Sequence, residues 1–421
     1  MSVIRQGLES ADLDVPVVLP TLNLDFANSQ SLDKRITFSR GSIGTRVNRN
    51  GLVETVAANQ PRFDFDPISG ECKGLLIEES RTNLLTYSED FSQGVWTKHN
   101  SSINSNVITA PDNTSNATKL IENTSNVQHM VYRNLTSAVN TTYTFSFFAK
   151  SAERQYVLAS FSGGGLSGDC VVGVSLIDGS VTTTSNSPEN TSVTKLPNGW
   201  YRITLTKTTP SASAFQPRIL ISRTGSSSQT YQADGTSGIY VWGAQLEAGA
   251  FPTSYIPTTT SSVTRSADNA SMTGTNFSSW YNQTEGSIYC SYNIQQNIDT
   301  ITRLIFRFDD LTTNNRIGYY DRTSNNPQFR FEYIDGRALS TGLPDWKIQN
   351  NKIACSITSQ NSKFSTNGVI TNLNTIKTIP ALSRAFIGND SNVTSYLNGT
   401  IAKFTYYSKA LSPAQLQYLT Q

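Results

Sequence analysis

The feature that most constrains this chain is a series of short runs in which apolar and polar residues alternate, with almost no helical periodicity between them. Thr142–Lys150, Trp200–Lys207 and Lys403–Tyr407 alternate as half-buried strands do. Hairpin turns between such runs are predicted at three pairs, Asn198-Gly199, Asn367-Gly368 and Asn398-Gly399. Many short strands without intervening helices predict an all-β fold made of β-sandwiches and exclude a parallel α/β sheet.

One segment is predicted to be helical. Within Leu411–Leu419, Ser412 is placed to cap the helix, Pro413 occupies its first position, and Gln415 completes a Ser-x-x-Gln capping box. The rest of the chain is predicted to form strands and turns.

The composition is typical of a folded β-sandwich protein. Ser, Thr and Asn make up about a third of the 421 residues, aromatic residues make up 10 %, and the formal net charge is +2. A disordered chain would have fewer aromatic and β-branched residues. The balance of 33 basic and 31 acidic residues excludes a broad basic surface for nucleic acid.

The scarcity of histidine and the spacing of cysteine limit the metal and catalytic chemistry. Since His99 and His129 are the only histidines, a three-histidine zinc site is impossible, and any Ser-His-Asp arrangement would use one of these two. The cysteines lie far apart without a C-x-x-C motif, which argues against a metal knuckle. Either disulfides or free buried thiols fit the four residues, with free thiols favoured: Cys72, Cys170, Cys290 and Cys355.

The sequence divides into five predicted segments. Residues 1–21 contain acidic residues and prolines that break regular structure, so they are either an arm that docks on another protein or a frayed terminus. Residues 22–80 are predicted to form a small β module. A Ser/Thr/Pro-rich linker at 258–263 separates two blocks, 81–257 and 264–421, each long enough to bury its own core. No apolar run approaches the length of a membrane span, and the first residues lack a signal-peptide core.

Three sets of residues resemble a family of tailed-bacteriophage virion proteins, the tail or head fibres and lectin-like structural proteins. The first set is similar to their N-terminal module: Arg40–Glu54, Asn59–Pro67 and Gly74–Phe91. The second resembles the closing strands of their carbohydrate-binding-module-like jelly roll: Asn198–Arg202 and Val241–Pro257. The third is similar to a laminin-G/concanavalin-A-like domain that ends in a strand and a short helix: Thr264–Asp268, Glu285–Tyr289, Lys352–Thr358, Phe364–Val369 and Tyr396–Leu416.

The resemblance implies a virion protein, made in the host bacterial cytoplasm, that attaches to host-surface glycans. Residues 1–80 would contact other virion proteins, and the jelly roll and the laminin-G-like sandwich would project outward. The family implies a homo-oligomer, with a trimer favoured because many weak sites together give avidity. No enzymatic activity, membrane insertion or nucleic-acid partner is expected. A capsid or tail decoration protein is the alternative, and a glycan depolymerase is a further one.

Adjacent acidic residues are weighed as possible hydrolase pairs. The pairs are Glu78-Glu79, Glu89-Asp90 and Asp309-Asp310. In a strand, neighbouring side chains point to opposite faces, so such a pair cannot flank one glycosidic bond. Carboxylates distant in sequence can still converge, which leaves hydrolase activity open. No solenoid repeat, as in the usual phage depolymerase, is visible.

Aromatic residues outside the apolar strand patterns are the candidates for stacking on a sugar ring. Trp200 and Trp242 lie inside such patterns and are predicted to pack in a core. Candidate carbohydrate-binding residues are Trp346, Tyr319, Tyr320, Asp321, Arg322 and Trp96, although an ordinary strand end would carry the same residues at 319–322. No cofactor is expected. Laminin-G-like domains sometimes bind calcium, which implies possible ligands at Asp309, Asp310 and Asp390.

Overall fold

The computed structural model describes residues 18–227, 230–295, 303–312, 315–323, 327–332, 338–342, 350–359, 362–372, 379–390 and 395–421. Contacts group the described chain into two compact units. The central unit comprises Ser39–Lys73 and Glu78–Asp268, and the split unit comprises the described residues of Met1–Phe38, Gly74–Ile77 and Asn269–Gln421. No helix among these described residues is long and apolar enough to cross a membrane.

The central unit contains two antiparallel sheets. One has six strands, in the spatial order Asn190–Lys195, Trp200–Thr209, Thr141–Ser151, Gly238–Ala248, Ala117–Glu122 and Ser101–Ile108. The other has six strands in the order Val181–Ser185, Cys170–Ser175, Tyr156–Gly163, Ala214–Ser222, Met130–Arg133 and Trp96–His99, with Leu135–Thr136 also paired to Ala214–Ser222. Neighbouring strands far apart in sequence make this a sandwich with crossing connections rather than a simple meander.

The core of the central unit lies between its two sheets. Phe145 lies in the first sheet and Phe161 in the second. Their ring centroids are 6.2 Å apart, and both side chains are fully buried. Phe148 points the other way and packs with Trp242 and Trp200 on the outer face of the first sheet. This alternation is the period of two that the sequence shows at 142–150.

Shorter strands complete the central unit. Three antiparallel pairs are Gly44–Val47 with Val53–Val56, Arg81–Asn83 with Val263–Arg265, and Asn126–Val127 with Tyr231–Gln232. Two further elements are the strand Phe63–Phe65 and the 3₁₀ turn Pro197–Gly199. Asn198 adopts the left-handed conformation in that turn, with φ 59°, and the turn joins two paired strands. The hairpin predicted at this Asn-Gly pair is therefore confirmed.

The split unit is also a pair of antiparallel sheets. One sheet has the order Val369–Asn372, Lys363–Thr366, Asn351–Ile357, Gly286–Ile294, Gly399–Tyr407 and Cys72–Ile77, with Leu22–Asp25 also paired to Gly399–Tyr407. The other has the order Thr37–Ser39, Asn269–Thr273, Arg384–Ile387, Arg303–Asp309, Arg316–Thr323, Pro327–Glu332 and Ala338–Gly342. The described part of this unit also has three helices: Phe26–Ser29, Thr275–Ser278 and Pro413–Thr420.

Aromatic side chains fill the space between the two sheets of the split unit. Phe306 and Phe308 come from one sheet, and Phe404 and Tyr406 come from the other. The ring centroids of Phe306 and Phe404 lie 5.6 Å apart in an edge-on arrangement. Trp280 packs edge-on to Tyr406 with centroids 5.0 Å apart. Because both units are antiparallel β-sandwiches, the predicted all-β fold class is confirmed.

Local predictions fare differently along the split unit. The capping box of Ser412 and Gln415 is confirmed, since Gln415 N donates to Ser412 Oγ and Ser412 N donates to Gln415 Oε1. The turn at Asn367-Gly368 joins two paired strands, as predicted. The hairpin at Asn398-Gly399 is wrong, because Gly399–Tyr407 pairs with Gly286–Ile294 while the preceding described strand belongs to the other sheet. An Asn-Gly turn fixes a change of direction but not which strand becomes the partner.

All four cysteines are free thiols. Three of them are buried, and burial raises the pKa of Cys170 to about 11 and that of Cys355 to about 12. Burial also raises the pKa of Cys290. Cys72 is half-buried.

Candidate functional site

A polar pocket opens in the central unit beside the edge strand Ser101–Ile108. Its volume is about 410 Å³, which lies in the lower part of the usual range for small-molecule sites, about 300–1,000 Å³. Loop, strand and linker residues line it: Tyr87, Glu89, Asp90, Ser92, Ser105, Asn106, Asn116, Thr118, Thr258 and Thr259. Each of these side chains carries a hydroxyl, amide or carboxyl group, while their carbon atoms supply more of the lining surface than their polar atoms do.

Glu89 is one of two carboxyl groups in this wall, and two side chains hold it. Tyr255 Oη donates a hydrogen bond to Glu89 Oε1 at 3.0 Å, and Asn116 Nδ2 donates to Glu89 Oε2 at 2.8 Å. Burial raises the pKa of Glu89, and the nearby Asp112 carboxylate adds to the rise, although the two hydrogen bonds oppose it. Glu89 thus keeps a proton more readily than a free glutamate does.

The Asn116 amide is fixed in orientation from both sides. Trp242 Nε1 donates to Asn116 Oδ1 at 2.8 Å, while the Asn116 amide nitrogen donates to Glu89. A tryptophan N–H can only donate, so it identifies the amide oxygen and leaves the amide nitrogen facing the carboxyl group. The indole of Trp242 is buried, as predicted. Its N–H fixes the orientation of the Asn116 amide in the pocket wall.

A β-bulge shapes the floor of the pocket. The register between Ser101–Ile108 and Ala117–Glu122 shifts between Ala117 and Lys119, and Asn106 on the bulged strand has φ 60°. Thr118 and Ser105 are among the lining residues, but their hydroxyl oxygens are covered by the chain and make no hydrogen bond within the described residues. A buried hydroxyl without a partner costs about 1–3 kcal/mol, so these two groups lower the stability of this part of the unit.

Tyr87 provides the aromatic surface of the pocket. It is half-buried, and its backbone has φ 53°, which is uncommon for a residue with a large side chain. Two hydrogen bonds hold it there, because Tyr87 N donates to Thr259 O at 2.7 Å and Trp96 Nε1 donates to Tyr87 O at 3.0 Å. Backbone strain of this kind is found preferentially at binding sites.

Glu89 and Asp90 both line the pocket. The expectation that adjacent carboxyl groups point apart applies to a strand, but residues 86–89 form a bend. Their environments differ: burial acts to raise the pKa of Asp90, but hydrogen bonds from Ser92 and Gln93 outweigh it and lower the pKa. Both Asp90 oxygens accept these bonds, at 2.5–3.0 Å.

The structure describes the side chains of three of the six predicted carbohydrate-binding residues, Trp96, Tyr319 and Tyr320. Trp96 is buried, and Phe91 and Arg133 pack against its ring at 4.8 Å and 5.4 Å. Tyr319 and Tyr320 are buried too, and Tyr319 stacks on Phe364 with centroids 5.3 Å apart. A ring this enclosed has no face open to a sugar.

The remaining predicted residues give no further geometry. Asp321 and Arg322 belong to the strand Arg316–Thr323, and Trp346 lies outside the described residues. The carbohydrate-binding assignment of these six residues stays a prediction. The sequence did not single out the pocket residues for this role. They come from segments that lie up to about 170 residues apart in the chain.

The proposed calcium ligands have other partners. Asp309 is buried and forms ion pairs with Arg307, at 2.8 Å, and with Arg384. Asp310 accepts hydrogen bonds from Thr312 and Asn315, while Asp390 accepts one from Ser395. Among the residues that the structure describes, no three His, Cys, Asp or Glu side chains are grouped to hold a metal ion. Calcium binding at these residues stays a prediction.

A second polar feature of the central unit is a buried ionic cluster, defined here as Arg40, Arg62, Glu78, Arg265 and Asp268. Arg62 bridges Glu78, at 2.8 Å, and Asp268. Arg40 reaches Asp268 at 3.1 Å, and Arg265 reaches Glu78 at 3.5 Å. The side chains are at most 1 % exposed. All five members of the cluster come from the stretches that resemble a phage virion module or open the second block, so those residues stabilise the central unit from within.

The fold and the pocket together define an all-β protein with a polar, hydroxyl-rich binding pocket in one sandwich. No protein-family model matches the chain, and no curated protein matches it. Solved structures with a related arrangement of strands exist, and they are carbohydrate-binding modules and domains of sialidases and other glycoside hydrolases.

Three of these structures illustrate the level of likeness. The CBM40 of a Ruminococcus gnavus IT-sialidase is 16 % identical over 33 % of this chain and 84 % of its own, with a TM-score of 0.28. Domain 4 of AbnA, a GH43 extracellular arabinanase from Geobacillus stearothermophilus, is 17 % identical over 41 % and 84 %, with a TM-score of 0.30. The Trypanosoma rangeli sialidase is 11 % identical over 73 % and 60 %, with a TM-score of 0.28. At TM-scores this low, none of them assigns an activity, a ligand or a binding residue to this chain.

Proposed function

We propose that this protein binds glycans and that the pocket beside Ser101–Ile108 is its saccharide site. The observation that carries the proposal is the composition of the wall: one half-buried tyrosine and a fixed amide–carboxyl pair among further hydroxyl and amide side chains. Sugars present hydroxyl groups around a ring whose C–H faces are apolar. Their binding therefore requires paired donors and acceptors beside an aromatic surface.

Different residues of the site would make the apolar and the polar contacts with a sugar. The Tyr87 ring would contact the apolar face of a sugar. Asn116 and Glu89, held by Trp242 and Tyr255, would exchange hydrogen bonds with adjacent hydroxyl groups without needing to reorganise. Pre-organised groups bind more tightly because less conformational entropy is lost on binding.

Binding without turnover is the favoured form of this proposal. Both oxygens of Asp90 accept hydrogen bonds from Ser92 and Gln93, so its own loop fixes the orientation of this carboxylate. Incubation of a bound glycan with the protein is expected to release no shorter product by mass spectrometry. Release of product that stops in Asp90→Asn would establish a hydrolase instead.

The test of glycan binding is a glycan array followed by calorimetry with the glycan that gives the strongest signal. Tyr87→Ala and Asn116→Ala are expected to weaken that binding at least about tenfold, because each removes one element of the wall. Tyr87→Phe keeps the ring and is expected to retain most of the affinity. The matched controls are Asn104→Ala, on the same edge strand but outside the pocket, and Tyr418→Ala, on an exposed helix position.

Thermal melting of each variant separates loss of the site from loss of the fold. An array without signal, or binding that survives both pocket variants in folded protein, would refute the proposal. Binding that is lost equally in the two control variants would refute the assignment to this pocket.

We further propose a biological setting, a tailed-phage particle on which the chain mediates attachment to host glycans. The sequence resemblance of Arg40–Phe91 supports this setting, and the proposal includes contact with other virion proteins through residues 1–80 and a homotrimer. Antibody labelling of purified particles would locate the protein, and native mass spectrometry would give the number of copies in the assembly. Absence from mature particles would refute the virion role, and a purely monomeric mass would refute the trimer.

A further inference from the structure

The charges around the pocket restrict which saccharides fit it. Glu89 and Asp90 line the wall, and Asp112 is close enough to act electrostatically on Glu89. None of the described residues that line the pocket is a lysine or an arginine. A carboxylated sugar would therefore meet acidic groups without a cation to receive its charge.

The nearest ammonium group is already engaged. Lys98 interacts electrostatically with Asp90, but its Nζ donates hydrogen bonds to the carbonyl oxygens of Ser92, at 2.7 Å, and Gln93, at 2.8 Å. These two hydrogen bonds hold the Lys98 ammonium group against the backbone of the loop that carries Asp90. Lys98 itself does not line the pocket.

Other side chains of the wall supply the complementary requirement. Ser92, Asn106, Asn116 and Thr259 carry hydroxyl or amide groups. Such a group can both donate and accept, so it pairs with a sugar hydroxyl in either direction. Glu89 and Asp90 provide acceptors for further sugar hydroxyl donors.

From these observations we infer that the pocket selects uncharged saccharides, one or two sugar rings deep, and rejects sugars that carry a carboxylate. The inference rests on the proposed function and specifies its ligand class. Like charges at short range inside a partly desolvated pocket repel strongly enough to weaken binding at least about tenfold. The selectivity would come from repulsion as well as from the fit of the neutral sugar.

The experiment uses matched sugar pairs that differ in a carboxylate, displayed on one array and then measured in solution. The pairs are glucose and glucuronic acid, and galactose and galacturonic acid. The uncharged member of any pair that binds is expected to bind at least about tenfold tighter than its acidic partner. Glu89→Gln is expected to reduce that difference at least about threefold, since it removes the charge and keeps the shape.

Glu71→Gln is the control, because Glu71 is an exposed acid of the central unit outside the pocket. It is expected to leave the difference unchanged. If the acidic sugars bind as tightly as the uncharged ones or more tightly, and Asn116→Ala abolishes that binding, the selectivity is refuted. The assignment of the pocket as a glycan site would still stand. Absence of binding by every member, or binding that Asn116→Ala does not affect, would refute the proposed function itself.

Discussion

The buried ionic cluster gives the sharpest test of how the central unit is stabilised. Asp268 is fully buried and receives hydrogen bonds from Arg40, at 3.1 Å, from Arg62, and from the backbone N–H of Glu78, at 2.9 Å. Asp268→Asn removes the charge without changing the shape. Its new NH₂ group would also face donors where the native carboxylate offered acceptors.

The expected loss follows from the charge balance of the cluster. Three arginines face two carboxylates, and the substitution leaves Glu78 as the single anion among Arg40, Arg62 and Arg265. Breaking a buried pair while leaving its partner charged costs about 3–5 kcal/mol. We therefore expect Asp268→Asn to lower the free energy of unfolding of the central unit by about that amount.

Urea unfolding followed by tryptophan fluorescence measures this loss, because three tryptophans are buried in the central unit, Trp96, Trp200 and Trp242. Glu54→Gln is the matched control, since it breaks an exposed pair in which Glu54 is 43 % exposed. Such a pair is worth less than about 1 kcal/mol. If Asp268→Asn costs no more than this control, the cluster does not stabilise the unit as the geometry indicates.

Three further predictions concern other groups. Because the pKa of Glu89 is raised in the folded protein, folded Glu89 binds its proton more tightly than Glu89 in the unfolded chain does. The protonated side chain therefore stabilises the fold at low pH, and this stabilisation is lost as the pH rises through the raised pKa. Melting temperatures of the native protein should therefore fall relative to Glu89→Gln between pH 4 and pH 7, and parallel curves would contradict this. At pH 8 a thiol reagent should label Cys72 first, because burial raises the pKa of Cys170 and Cys355, and fast labelling of all four would contradict their burial. Ser412→Ala should destabilise the last helix by about 1 kcal/mol in urea unfolding, whereas Ser412→Asp should retain the cap.

The elements that sequence predicts well here are those whose information is local. The strand at 142–150 shows its period of two directly in the residue order, and the structure has a strand over Thr141–Ser151. The helix Pro413–Thr420 begins where its capping box predicts. The Asn398-Gly399 hairpin fails for the opposite reason, since the choice of a partner strand depends on sheets assembled from distant segments.

The pocket could not be predicted from local sequence patterns. It requires a bulge at Asn106, a bend at 86–89 instead of a strand before Asp90, and the approach of residues 258–259 to Tyr87. The bend was detectable only as a break in alternation. Trp96 shows the same limit, because its position after a turn does not indicate which way the ring points.

The order in which the two units occur along the chain has a consequence for biosynthesis. Asn23 belongs to the split unit and accepts a hydrogen bond from Thr405, which is made 382 residues later. At about 5–20 residues per second, the first strand of that sheet waits roughly 20 to 80 s for its partner. All residues of the central unit, which ends at Asp268, emerge during this delay. The central unit can therefore fold first, while the split unit stays open until residues 399–407 are made, and its unpaired first strand is the part most exposed to chaperones.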